Sequence, residues 1–89
     1  MTDKQFTYNI AMPDGTVREW QLNGVKPYLV IETRRTNNLI YNYWNYATPT
    51  GASVQMRRLL ERQQADAERF ANYDINEASF QLASPKEMD

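Results

Sequence analysis

The sequence predicts an α+β fold: an antiparallel four-stranded meander sheet, β-β-β-β-α in chain order, with one long helix packed on one face. A short fifth strand or helical turn is expected at the C-terminus. Three observations predict it. Apolar residues alternate with period two through the first half of the chain, two strong turn signals punctuate that half, and a sustained helical stripe follows Thr48-Pro49-Thr50-Gly51.

Phe6, Tyr8 and Ile10 alternate with Thr7, Asn9 and Ala11, the pattern of a half-buried strand. Pro13-Asp14-Gly15 then supplies a preset φ, a side chain able to bond nearby backbone and a residue tolerant of positive φ, which together make a hairpin turn. Val17, Trp20 and Leu22 belong to the returning strand. Val17 shares a face with Glu19 there, while Arg18, Trp20 and Leu22 share the other, so a bulge or a covered outer face is expected. Asn23-Gly24 predicts a second tight hairpin turn.

Pro27 cannot donate to a ladder, so it belongs at the start or edge of the third strand, Tyr28 to Thr33. The run Tyr28-Leu29-Val30-Ile31 predicts a central strand covered on both faces. Thr36-Asn37-Asn38 reads as a turn. Residues 39–46, Leu-Ile-Tyr-Asn-Tyr-Trp-Asn-Tyr, fit two patterns. As a strand, Ile40, Trp44 and Tyr46 share one face with Asn42, and Leu39, Tyr41 and Tyr43 share the other with Asn45. As a helix over residues 37–47, Leu39, Ile40, Tyr43, Trp44 and Ala47 make a stripe, leaving three strands and two helices. Strand is preferred, because tyrosine, tryptophan and isoleucine favour it and interior asparagines disfavour helix.

A helix from about Ala52 to Tyr73 is predicted by the stripe Ala52, Met56, Leu59, Leu60, Gln63, Ala67, Phe70 and Ala71. Beyond it, Asp74 and Glu77 resemble a helix-start box, whereas Ala78, Phe80 and Leu82 alternate as in a strand. A single domain over 1–89 is expected, with 83–89 as a frayed tail.

Composition bounds the chemistry. A chain of 89 residues can bury roughly 60 to 65% of its unfolded surface, enough for one core. Hydrophobic residues at 42% and charged residues at 24% are ordinary globular values. A net charge of -1 gives no overall field for or against phosphates. Cysteine and histidine are absent, which removes disulfides, thiolate metal sites, the usual zinc ligands, the usual neutral-pH base and the usual nucleophile pairs. The three glycines stand singly at turns, so there is no glycine-rich phosphate loop. No enzyme, catalytic residue, metal or cofactor is therefore expected. No window approaches the roughly 18 apolar residues of a membrane span, and no apolar run follows the N-terminus, so the expectation is a cytoplasmic protein without membrane contact.

Candidate binding residues come from aromatic density and from Arg34-Arg35. Residues 26–53 carry Lys26, Arg34 and Arg35 against Glu32 alone, whereas residues 71–89 carry Lys86 against Asp74, Glu77, Glu87 and Asp89. Charge is polarised along the chain. If one helix covers one sheet face, the other face displays tyrosines or tryptophan, and tyrosine, tryptophan and arginine together are the composition of an interface hot spot. The candidate partner-binding set is Arg34, Arg35, Tyr41, Tyr43, Tyr46, Arg58 and Arg62. The plainer readings are core for the covered aromatics and solvated surface for the arginines, Arg57 and Arg69 included.

The first functional expectation is a non-catalytic protein-binding module, a stoichiometric inhibitor or adaptor of a host macromolecular complex. Small size, absent cysteine, mixed charge and an isolated single domain are similar in profile to phage-encoded inhibitors of host defence such as anti-CRISPR proteins. The second is binding of single-stranded nucleic acid on the same aromatic face. The third is a homodimer with an aromatic seam in place of a monomer.

Overall fold

The computed structural model describes residues 4–86. Five strands and one helix follow in the order β1 (Lys4–Ala11), β2 (Val17–Gly24), β3 (Tyr28–Arg34), β4 (Leu39–Tyr46), α1 (Pro49–Arg69) and β5 (Ala78–Ala83). All pairings are antiparallel. The α+β class, the four successive strands and the long helix are as the sequence predicts, and the tail supplies a fifth strand.

The meander strands are divided between two sheets. β1 pairs with β2 alone, and β3 lies between β4 and β5 in a three-stranded sheet. The expected Asn23-Gly24 hairpin does not form: β2 runs through Gly24, which pairs with Lys4. Val25, Lys26 and Pro27 instead carry the chain from one layer to the next, where the Tyr8 hydroxyl donates to the Pro27 carbonyl at 2.7 Å. The reason is burial. Phe6, Tyr8, Ile10, Trp20 and Leu22 share the inner face of the β1–β2 hairpin, and folding that face onto β3 buries it against Leu29 and Ile31. In one flat sheet half of this surface would stay wet.

β3 is consequently covered on both faces, with Leu29 through Thr33 all buried. The hairpin covers Leu29, Ile31 and Thr33; α1 lies across the face carrying Val30 and Glu32. Gln63 fastens the far end of α1, its amide nitrogen donating to the Ile75 carbonyl at 2.9 Å and the Ala78 carbonyl at 2.7 Å.

The first turn forms by the expected mechanism. Gly15 has φ +89, its N–H donates to the Met12 carbonyl at 3.0 Å, and the Asp14 carboxylate accepts from the Thr16 N–H at 2.9 Å and hydroxyl at 2.6 Å. Those bonds hold the Asp14 carboxyl below the usual carboxylate range. No bulge interrupts β1–β2. α1 begins earlier than expected, because Thr48 accepts from the Gly51 N–H at 3.1 Å and Pro49 occupies the first turn, where its missing N–H costs nothing. It also ends earlier, at Arg69, so Phe70 and Ala71 are exposed and do not extend the buried stripe. Asp74 caps a turn, not a helix, accepting from the Asn76 N–H at 2.9 Å.

Residues 83–86 are anchored. Ala83 and Pro85 are buried, and the Lys86 N–H donates to the Thr7 carbonyl at 2.7 Å. The rest of the expected frayed tail, residues 87–89, lies outside the described residues. The Gln81 carboxamide bonds both the N–H and the carbonyl of Ala11, at 3.1 and 2.8 Å, so it closes the β1–β5 side of the sandwich as a strand would.

Two stability measurements check this packing. Gln63→Ala strands two carbonyls and is expected to lose about 2 kcal/mol in urea unfolding, with Gln64→Ala near zero. Burial pushes the Tyr8 phenol up to about 12 from 10.0, so the folded chain keeps a proton that the unfolded chain loses. Stability is therefore full below pH 10 and falls as pH rises toward 12; Tyr8→Phe, at a cost near 1 kcal/mol, flattens that dependence.

Candidate functional site

Among the described residues β4 is an edge strand, bonded to β3 on one side only. It contains one irregularity. Glu32 faces Asn42 but Thr33 faces Ile40, so Tyr41 is an extra residue, a bulge. The bulge reverses the alternation of side chains on either side of it. Ile40 accordingly packs into the hairpin core, while Trp44, of the same parity, meets Phe80 on the helix side with ring centroids 6.4 Å apart. The expected common face for Ile40, Trp44 and Tyr46 does not exist.

Both faces of the three-stranded sheet are covered, contrary to the expectation that one helix leaves one face bare. Coverage is complete over β3 and incomplete over β4. Tyr41 is 63% exposed, Leu39 47% and Tyr43 40%, with Tyr46 and Trp44 half-buried. Tyr43 is held edge-on to Trp20 of the hairpin, with centroids 5.1 Å apart.

The two arginines that end β3 do different things. Arg34 donates to Glu32 at 2.7 Å and lies 4.1 Å from the centre of the Tyr41 ring. Glu32 is buried at 7% exposure, so this guanidinium neutralises an interior carboxylate while presenting its cationic plane to an aromatic face. Its Nε is buried without a partner. Arg35 turns away to Asp74 at 2.8 Å, and its N–H donates to the Glu77 carbonyl. The Glu77 carboxylate in turn accepts from the Thr36 hydroxyl at 2.6 Å. Arg35 is thus tied into the acidic loop before β5, apart from the β4 aromatics.

Helix periodicity places Arg58 and Arg62. At 100° per residue, Gly51, Arg58, Arg62 and Arg69 share one flank of α1, and Ser53, Leu60 and Gln64 share the opposite one. Gly51 abuts the Tyr46 ring, where an added Cβ would come within 3.4 Å. Ser53 faces Leu82 and Ala83 across a cleft of ≈ 60 Å³. The arginine flank therefore overhangs β4, and the other overhangs β5. Arg58, Arg62 and Arg69 are exposed, and among the described residues none of them makes an ion pair. Arg69 shares the angular position of this flank but lies more than a turn beyond Gln63, with its guanidinium 5.8 Å from the centre of the Phe70 ring.

The structure stacks Arg34 on Tyr41, sets Tyr43 against Trp20, places Arg58 and Arg62 by helix periodicity on the same flank as Gly51, which abuts Tyr46, and separates Arg35. The turn at Asn38, φ 52, fixes the near end: its side chain accepts from the Asp14 N–H at 3.2 Å and donates to the Asp14 carboxylate at 2.9 Å. The cleft beside Leu82 is far below the roughly 300 to 1,000 Å³ of small-molecule sites. Among the described residues no three acidic side chains gather where they could hold a metal ion. No described helix is long and apolar enough to cross a membrane. No protein-family model, curated protein or solved structure matches the chain.

The two arginines should separate in stability. Arg34→Ala leaves Glu32 buried and unpaired and is expected to cost about 2 to 3 kcal/mol in urea unfolding. Arg35→Ala breaks an exposed pair and should cost under about 1 kcal/mol.

Proposed function

We propose that this chain is a non-catalytic protein-binding module, a stoichiometric inhibitor or adaptor that engages a host macromolecular complex through the β4 surface. One observation carries the reading. Residues 39–48 contain no charged side chain, expose Leu39, Tyr41 and Tyr43, and lie beside a helix flank whose arginines are unpaired among the described residues. Isolated surface hydrophobics are ordinary, but an aromatic strip bordered by free guanidinium groups has the composition of a hot spot within a polar rim.

Four carboxylates support a non-catalytic role. Glu32 neutralises Arg34, Asp14 holds a turn, Asp74 pairs with Arg35, and Glu77 bonds Thr36. Each is engaged in holding the fold, and the chain has no histidine or cysteine to act as base or nucleophile. The profile similarity to phage-encoded anti-defence proteins, anti-CRISPR proteins among them, supports inhibition of a cytoplasmic host assembly.

Nucleic acid on the same strip is the weaker reading. Base stacking needs open ring faces. Arg34 already occupies one face of the Tyr41 ring, and Tyr43 is held edge-on to Trp20.

Affinity capture from lysate of the native host tests the proposal. The native chain should retain a partner in near-equal amount, and the triple variant Tyr41→Ala, Arg58→Ala, Arg62→Ala should lose it. All three positions are exposed, so unfolding midpoints should change little. Gln64→Ala with Glu68→Ala, on the other flank, serves as the control that keeps the partner. Undiminished capture by the triple variant would remove the reading, as would oligonucleotide binding that weakens steeply with salt.

A further inference from the structure

We infer that the free edge of β4 takes an extended, acidic peptide segment of the partner as an added strand, with Arg58 and Arg62 meeting its carboxylates. This rests on the binding-module reading and names what that surface binds.

Among the described residues the edge is open, and its donors can be assigned. The Tyr43 N–H is taken by the side-chain oxygen of Asn42 at 2.8 Å, so it points away from β3. Period-two alternation turns the Asn45 N–H the same way. Edge strands are normally blunted by charge, proline or brevity, and β4 has eight residues with neither a charge nor a proline. Its bulge lies at Tyr41, leaving Asn42 to Tyr46 regular against β3. Asn42 covers one donor with a side chain that an incoming carbonyl can displace.

Charge selects the occupant. The flank of α1 on the β4 side carries Arg58 and Arg62, both exposed, against Asp66, which is half-buried. A second copy adding β4 to β4 across a two-fold axis would set the two β3 strands three strand spacings apart, about 14 Å. α1 packs over β3, so the arginine rows of the two copies would face each other within side-chain reach, and like charges would oppose the pairing. A basic or neutral segment would leave those arginines uncompensated. A nucleic acid strand offers no ladder of amides to match outward backbone groups, whereas an extended peptide offers both the ladder and carboxylates at alternate positions. Arginine binds carboxylates through paired, charge-assisted hydrogen bonds.

A display library of short random peptides, panned on the folded full chain, tests this. Enriched sequences should be rich in β-branched residues and carry two or more Asp or Glu. On addition of the best synthetic peptide, the Tyr43 and Asn45 amides of the native chain should become protected from hydrogen exchange. Asn45→Pro removes an outward donor that β3 does not use, and should weaken the peptide about tenfold or more. Arg58→Glu with Arg62→Glu should do the same with the fold intact. Enrichment of basic or uncharged peptides, binding without protection of those two amides, or protection caused by oligo-dT or by self-association at high concentration would each overturn the inference. Host partner capture that survives Asn45→Pro but is lost in the Tyr41, Arg58, Arg62 variant would end strand addition while leaving the binding module standing.

Discussion

Every layer of this protein is arranged around the demand that β3 makes for cover on both sides. Five consecutive buried residues, Leu29 to Thr33, cannot belong to a strand with one wet face. A single helix satisfies half of that demand. The chain meets the other half by detaching its first hairpin and laying it over the opposite face, at the cost of the hydrogen bonds that a continuous four-stranded sheet would have made between β2 and β3. The Tyr8 hydroxyl on the Pro27 carbonyl and the Gln81 carboxamide on Ala11 recover part of that loss at the two places where the layers join.

The same arrangement makes the candidate surface. A sandwich of two strands on three leaves one strand of the wider layer incompletely covered. β5 is tied to β1 through Gln81, whereas β4 meets the hairpin only through Ile40 and Tyr43 and leaves Leu39 and Tyr41 exposed. Its exposure follows from the way the core is completed. Charge is sorted by the same geometry: the acidic residues near the C-terminus hold Arg35 and Thr36 on the β5 side, and the helix arginines that find no such partners hang over β4.

Much of this was legible in the sequence, and the gaps have definite causes. Local chemistry read well: Pro13-Asp14-Gly15, the continuous apolar run of β3 and the aromatic strand after Asn38 all express short-range rules. The division into two sheets was not legible, because Asn23-Gly24 carries the strongest hairpin dipeptide in the chain and still continues a strand. What overrode it was long-range burial of the Phe6, Tyr8 and Trp20 face. The site was half legible. Arg34 and the tyrosines were found by composition, but whether an arginine is free or committed depends on its neighbours in space. Arg34 and Arg35, adjacent in sequence, have unlike fates for that reason.

The bulge at Tyr41 has a consequence for how β4 meets the two layers. An inserted residue in a strand acts as a change of phase: side chains before it report to one layer and side chains of the same parity after it report to the other. β4 therefore keeps two phases in one strand: before the bulge the even-numbered Ile40 meets the hairpin, and after it the odd-numbered Tyr43 does, against Trp20, while Trp44 and Tyr46 meet the helix side. Each phase reaches both layers, so the parity of Leu39 and Ile40 is set apart from that of Asn42 to Tyr46 within eight residues.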